Sequence, residues 1–190
     1  SSNGSFAFPG WDTGGEIINH DSTYSMLTGT LNPSKYYEVT VTPNYKNSMT
    51  LTKMTFSFKR DTSGVRTFAV KSSLDGYSNN LPVSVSPANK SLEVQPGNVL
   101  FSKYDTTTVQ NGTTINLAAF KNVTQPVTFR IYGWNAESAL GVFGIDSLTI
   151  NGSSGVIENT QNYMDYSYCS VMYTKGQKNR MRATLESDVS

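Results

Sequence analysis

The chain has 190 residues, with 15 Lys and Arg against 14 Asp and Glu; its formal charge of +1 gives no electrostatic footprint for nucleic acid or an anionic membrane. Hydrophobic residues make up 37% and charged residues 15%, below the quarter or so usual for soluble domains, and Ser, Thr, Asn and Gly fill the gap. With aromatics at 12%, this is the makeup of an extracellular all-β protein, and no apolar run approaches the roughly 18 residues a membrane span needs.

The chain opens Ser1-Ser2-Asn3-Gly4, with no initiator Met and no basic-plus-apolar leader, so any targeting signal is expected outside it. Residues 1–34 are rich in Gly, Ser and Asn, and Phe6, Phe8, Trp11, Ile17 and Ile18 suit one or two edge strands. From Tyr36 a period of two sets in. Tyr37, Val39 and Val41 alternate with Tyr36, Glu38, Thr40 and Thr42 until Pro43-Asn44 ends the run. Over Met49 to Lys59, Met49, Leu51 and Lys53 share one face and Met54, Phe56 and Phe58 the other. That change of face predicts a bulge near Lys53, or two short strands.

Arg60-Asp61-Thr62-Ser63-Gly64 reads as a turn, Thr67–Ser73 as a strand, and Leu74-Asp75-Gly76-Tyr77 as a second turn. Residues 78–98 hold three prolines among Asn and Ser and read as a long irregular loop. Strands resume near Leu100–Thr107, Thr113–Leu117, Val127–Tyr132 and Val142–Ile150. Seven or eight short strands, with no sustained helical period before residue 152, predict an antiparallel two-sheet sandwich of jelly-roll type. Asn151-Gly152-Ser153-Ser154-Gly155 is the best linker. It divides a β-sandwich module (1–152) from a tail (153–190) whose Thr174-Lys175-Gly176-Gln177 has the form of a capping box, predicting a short C-terminal helix over about 175–186.

Candidate chemistry is sparse. The one histidine, His20, lies in Asn19-His20-Asp21 and reads as a solvated loop residue; a zinc peptidase site needs two or three imidazoles, and a Ser-His-Asp site needs a partner that no Gly-x-Ser-x-Gly supplies here. Among the scattered carboxylates, a pair such as Glu38 and Asp146 is conceivable for glycoside hydrolysis, but nothing singles it out. Asp146, in an otherwise apolar strand, is a candidate ligand for a structural calcium, beside the plainer reading of an outward-facing Asp. Tyr77 and Trp134 are the candidate ligand-binding residues, with Tyr104 and Tyr132 weighed alongside. Exposed rings near turns can stack on pyranose faces, whereas the plain alternative is core or rim packing. Sequons such as Asn111-Gly112-Thr113 and Asn122-Val123-Thr124 arise by chance in so Asn-rich a chain. A lone cysteine, Cys169, cannot form an internal disulfide and suggests a partner elsewhere.

The segment Asn162-Tyr163-Met164-Asp165-Tyr166-Ser167-Tyr168-Cys169, with Met172-Tyr173-Thr174-Lys175-Gly176-Gln177 and Arg180-Met181, resembles the end of the catalytic domain in the pappalysin/cytophagalysin metallopeptidases, from Val156 to the C-terminus. The resemblance implies that Met164 corresponds to the Met-turn methionine beneath the zinc, Tyr166 to a tyrosine that stabilises the reacting carbonyl, and Cys169 to a disulfide partner of a cysteine missing here. The family's His-Glu-x-x-His-x-x-Gly-x-x-His motif is absent from this chain, so zinc is expected only in a complete parent peptidase. Residues 1–152 are more loosely similar to jelly-roll accessory modules of secreted bacterial proteins, through Ser72-Ser73-Leu74-Asp75-Gly76-Tyr77, Pro126–Gly133 and Ile145–Gly152. The expectation is a non-catalytic, secreted or cell-surface accessory module that binds a glycan, a cell surface or a substrate, or spaces a neighbour. The alternative is a fragment of a zinc endopeptidase whose metal motif lies outside the chain. No cofactor is expected in the chain beyond the possible calcium.

Overall fold

A computed structural model describes residues 6–14, 23–44 and 47–154. Ten strands follow one another: β1 (Phe6–Phe8), β2 (Tyr36–Val41), β3 (Met49–Arg60), β4 (Val65–Ser72), β5 (Val83–Val85), β6 (Leu92–Gln95), β7 (Val99–Ser102), β8 (Gln110–Asn116), β9 (Val127–Ala136) and β10 (Phe143–Ser154). They form two five-stranded antiparallel sheets, sheet A in the order β1-β10-β3-β8-β5 and sheet B in the order β2-β9-β4-β7-β6. Without β5 and β6 the two orders are β1-β10-β3-β8 and β2-β9-β4-β7, the eight-stranded double Greek key of a jelly roll. The sequence-predicted sandwich is therefore the fold, enlarged by one extra strand at an edge of each sheet.

Period-2 alternation turns one face of each sheet inward. Tyr37, Val39 and Val41 of β2 meet Met54, Phe56 and Phe58 of β3 in a single core with Phe68, Phe129, Phe143 and Ile145. Rings carry much of this packing. Phe68 lies 4.9 Å from Phe58 and 5.4 Å from Phe143, and Trp11 meets Phe143 edge-on at 5.4 Å. The Tyr37 hydroxyl donates to the Phe143 carbonyl and ties β2 to β10 across the interior.

The expected change of face in β3 is a bulge at Thr52. Asn151 pairs with Lys53 and Gly152 with Leu51, so Thr52 is the extra residue, and β3 stays one strand. Two further bulges, at Ser147-Leu148 of β10 and Asn111-Gly112 of β8, lie on either side of β3 near Phe56 and Ser57.

Four expectations need correction. Residues 78–98 are not one irregular loop: β5 and β6 lie within them. Pro82, Pro87 and Pro96 flank these strands rather than interrupt them, so they gave a loop signal while leaving the ladders intact. The strand expected to reach Thr107 ends at Ser102. The linker at 151–155 is, through Ser154, the end of β10, paired with Lys53 to Met49, because Ser and Gly at a sheet edge look like linker residues. Arg60, placed in a turn, is the fully buried last residue of β3. Ile17, Ile18, Gly155 and the predicted helix over 175–186 lie outside the described residues.

Candidate functional site

Among the described residues, the outward face of sheet B brings rings and charges together. Cross-strand register places Glu38, Arg130 and Lys71 in one row over β2, β9 and β4, with Tyr36 and Tyr132 in the next row. Arg130 donates from Nε to Glu38 Oε2 at 2.9 Å. Its guanidinium lies 4.2 Å from the centroid of Tyr36 and 3.9 Å from that of Tyr77, so the cation is held between two rings.

Tyr77 reaches this position from the β4–β5 turn. There Gly76 and Tyr77 both adopt left-handed φ, +65° and +61°. A tyrosine in that region is strained by its Cβ and must be held by its surroundings. The Tyr77 amide donates to the Ser72 carbonyl at 2.9 Å, and the Asp75 carboxylate accepts from the Asn79 amide at 2.9 Å and from Ser78. Burial works against the charged form of Asp75, but the hydrogen bonds from Asn79 and Ser78 outweigh it and hold its pKa below the ordinary value. Burial likewise raises the phenol pKa of both Tyr36 and Tyr77, against the opposing pull of Arg130.

The two expected binding rings fare differently. Tyr77 is partly exposed, with one face on Arg130. Trp134 is only 7% exposed and belongs to a small apolar cluster with Tyr36, Ala69, Val99 and Tyr132, against which Tyr24 and Leu31 pack. Its ring offers no open stacking face. Tyr132 is buried too, and Tyr104 lies in the loop after β7 with the Lys103 ammonium 5.8 Å from its centroid.

A second constellation closes one end of the sandwich. Arg60 and Arg66, 0% and 1% exposed, share the carboxylates of Asp105 and Glu137. Arg60 bonds Asp105 at 3.0 Å and Glu137 at 2.9 Å, and donates to the carbonyls of Thr62, Gly64 and Tyr104. Arg66 donates from Nε to Glu137 at 2.6 Å, from Nη2 to Asp105, and from Nη1 to the carbonyls of Ser102 and Lys103. Two cations meet two anions, and five backbone carbonyls from the β3–β4 connection and from the end of β7 and the loop after it are tied together, with Glu137 reaching in from the segment after β9. Chemically this is a clamp, with the charge saturation a buried ion cluster requires.

Asp146 is partly exposed, opposite Ser57 on β3, and no group of three or more His, Cys, Asp or Glu side chains suited to a metal occurs among the described residues. Glu38 and Asp146 stand on the outer faces of different sheets, beside inward-facing Val39 and Ile145, with the core between them. They cannot flank one glycosidic bond. His20, Met164, Tyr166 and Cys169 lie outside the described residues. Sequence reasoning missed Arg130 as a site residue. Its signal, a charged residue alternating with Phe129 and Ile131, is that of any outward strand position, and only the register brings Tyr36, Glu38 and the Tyr77 turn to it.

Comparison with known proteins adds one finding: the model of the peptidase M43 family, described as pregnancy-associated plasma protein-A, matches residues 134–186. This part of the chain resembles the M43 peptidases. No curated protein and no solved structure matches the chain. The match takes in Met164, Tyr166 and Cys169, and it begins further upstream than the resemblance read from Val156, at Trp134 inside β9. All of β10 therefore falls within the M43-like stretch while serving as the strand between β1 and β3. The chain's single histidine, His20, lies outside that stretch.

Proposed function

We propose that this chain is a non-catalytic, extracellular accessory module of an M43 metallopeptidase-related protein, with a glycan- or surface-binding site on the outer face of sheet B at Tyr77. The observation that carries the reading is that the M43-like stretch holds no histidine and is, as far as Ser154, the end of β9, its loop and all of β10 in the sandwich. Hydrolysis by a zinc peptidase needs a metal bound by imidazoles and a carboxylate general base beside the bound water. With His20 as its only imidazole, the chain offers at most one such ligand. The ring of Tyr77, fixed in a strained turn against Arg130, supports a binding role, since strain of that kind persists where a side chain must be presented.

A second reading is favoured by the match itself. The chain is then a piece of an M43 endopeptidase whose zinc motif lies outside it, and Met164 and Tyr166 serve that larger site. Zinc analysis of the purified chain by mass spectrometry, alongside casein and gelatin digestion, tests the first reading. No stoichiometric zinc and no cleavage are expected. Stoichiometric zinc with chelator-sensitive cleavage would show that a metal site assembles from this chain and would overturn the accessory reading.

A further inference from the structure

We propose that Arg130 anchors a subsite for a carboxylate-bearing sugar, such as a hexuronic acid. The inference rests on the reading that the sheet B face binds a glycan, and it deepens that reading to a substrate class.

The geometry of the stack restricts how a ligand can approach. The guanidinium carbon lies over both the Tyr36 and the Tyr77 ring, 4.2 and 3.9 Å from their centroids. With rings packed on the cation, an acceptor meets Arg130 in the guanidinium plane, where its N–H donors point. Glu38 takes Nε from one side at 2.9 Å. Tyr132 takes a further side-chain hydrogen bond, yet the guanidinium has five donors and the side chain remains 25% exposed, so donors are left for a ligand. In-plane recognition by paired N–H groups matches the geometry of a carboxylate. The two rings also restrain the side chain beforehand, which removes much of the ordering cost that a free arginine would meet on binding.

Charge and surroundings narrow the class further. In the cross-strand row Glu38–Arg130–Lys71, one anion meets two cations, leaving a local excess of one positive charge. Lys71 is anchored on the Ser78 carbonyl at 3.2 Å, which brings its ammonium to the turn that carries Tyr77. Beyond Arg130 the next row holds Thr40 and Thr128, whose hydroxyls bond each other at 2.8 Å, and the Ser73 hydroxyl accepts from the Thr128 amide at 3.0 Å. A cationic fork beside an aromatic ring and a run of hydroxyls suits a polyhydroxylated anion better than an acidic peptide with apolar neighbours.

The test uses the 190-residue chain with trigalacturonate, the carboxyl-reduced galactotriose and a tri-glutamate peptide, titrated calorimetrically at low salt. Trigalacturonate is expected to bind about tenfold or more tighter than galactotriose, the margin of a charge-assisted hydrogen-bond pair, and more tightly than tri-glutamate. Arg130→Gln should erase the preference for the acid, and Arg130→Lys should reduce it by keeping the charge without the fork. Lys71→Met should weaken trigalacturonate a few-fold and leave galactotriose unchanged. Unchanged thermal midpoints identify the variants that report on binding, and Lys71→Met serves if Arg130→Gln fails to fold. Equal binding of the two trisaccharides, or a preference that survives in Arg130→Gln, overturns the acidic subsite and leaves the glycan reading standing. Tighter binding of tri-glutamate overturns the saccharide class. No binding of either trisaccharide overturns the subsite, and a neutral-glycan array that is also blank removes the glycan reading with it.

Discussion

At the scale of single residues, stability rests on polar groups sealed in the interior. Glu137 neutralises two guanidiniums that are almost wholly shielded from water, so Glu137→Ala leaves a buried positive charge uncompensated. We expect a loss of about 3–5 kcal/mol from that change, measured as a shift of the urea midpoint. Arg66→Met combined with Glu137→Leu should cost less than the sum of the two single changes, because pair and charge leave together. Tyr37 gives a pH signature. Burial is the chief cause of its raised phenol pKa, with the Phe8 backbone hydrogen bond pulling the other way. Below pH 10 the ring is neutral in both folded and unfolded chains. Above that, the unfolded chain releases a proton that the native state retains, so stability falls as pH climbs from 10 towards the raised value. Tyr37→Phe should cost about 1 kcal/mol at pH 8, through the lost bond to Phe143, and should make the alkaline decline shallower. Denaturation curves at pH 8, 10 and 11 check both. Tyr36 and Tyr77 are raised as well, so part of the slope should remain.

At this scale the sequence was legible where alternation alone decided the outcome. Tyr37, Val39, Val41, Phe56 and Phe58 point inward as their period requires. It was opaque where a residue's role depends on what a distant strand brings beside it. Arg60 looked like a turn residue because it precedes Asp-Thr-Ser-Gly, yet its partners are 45 and 77 residues away. Trp134 has the signal of a ring beside a loop, yet it is buried in a cluster with Tyr36 and Tyr132, against which Tyr24 and Leu31 pack from a segment about a hundred residues earlier.

At the scale of elements, β10 carries the greatest weight. It lies between β1 and β3, and its Phe143 and Ile145 are fully buried. Removing residues 155–190 is expected to leave cooperative unfolding of the sandwich nearly unchanged, whereas ending the chain at residue 142 should abolish it. Circular dichroism melts of the two truncations decide this; a collapse in the first would show that the tail packs into the core. The bulge at Thr52 was readable because Met54, Phe56 and Phe58 reverse the parity of Met49 and Leu51. The strands β5 and β6 were not, since both are only three or four residues long and sit among Pro, Asn and Ser; β5 is moreover laddered to the distant β8, and β6 forms a short hairpin with β7. The end of β10 was missed for a similar reason: Asn-Gly-Ser-Ser resembles a linker until its partners Met49–Lys53 are known.

At the scale of the whole molecule, composition and turn spacing sufficed for the fold class, because a near-neutral chain with recurrent period-two runs and no sustained helical period before residue 152 has few other ways to bury its rings. The site was half legible. Tyr77 could be singled out from its Asp-Gly turn, but the ring stack on Arg130 depends on the register of β2 and β9, which no local pattern encodes. The same register makes a prediction for the assembled sandwich: Tyr77→Ala should leave the core melting transition within about 0.5 kcal/mol of wild type, since only a partly exposed ring is removed, while it frees the Arg130 side chain. Chemical denaturation measures the first effect and side-chain NMR of the arginine the second.

The jelly-roll order also has a consequence for how the chain is made. β1 emerges from the ribosome before the other nine described strands, but its strand partner among the described residues, β10, follows about 135 residues later. At 5–20 residues per second, that is a wait on the order of ten seconds. Through that interval the inner edge of β3 stands open and the apolar faces of both sheets lack their closing strand, so nascent chains halted at residue 142 should be held by chaperones and chains carried past Ser154 released.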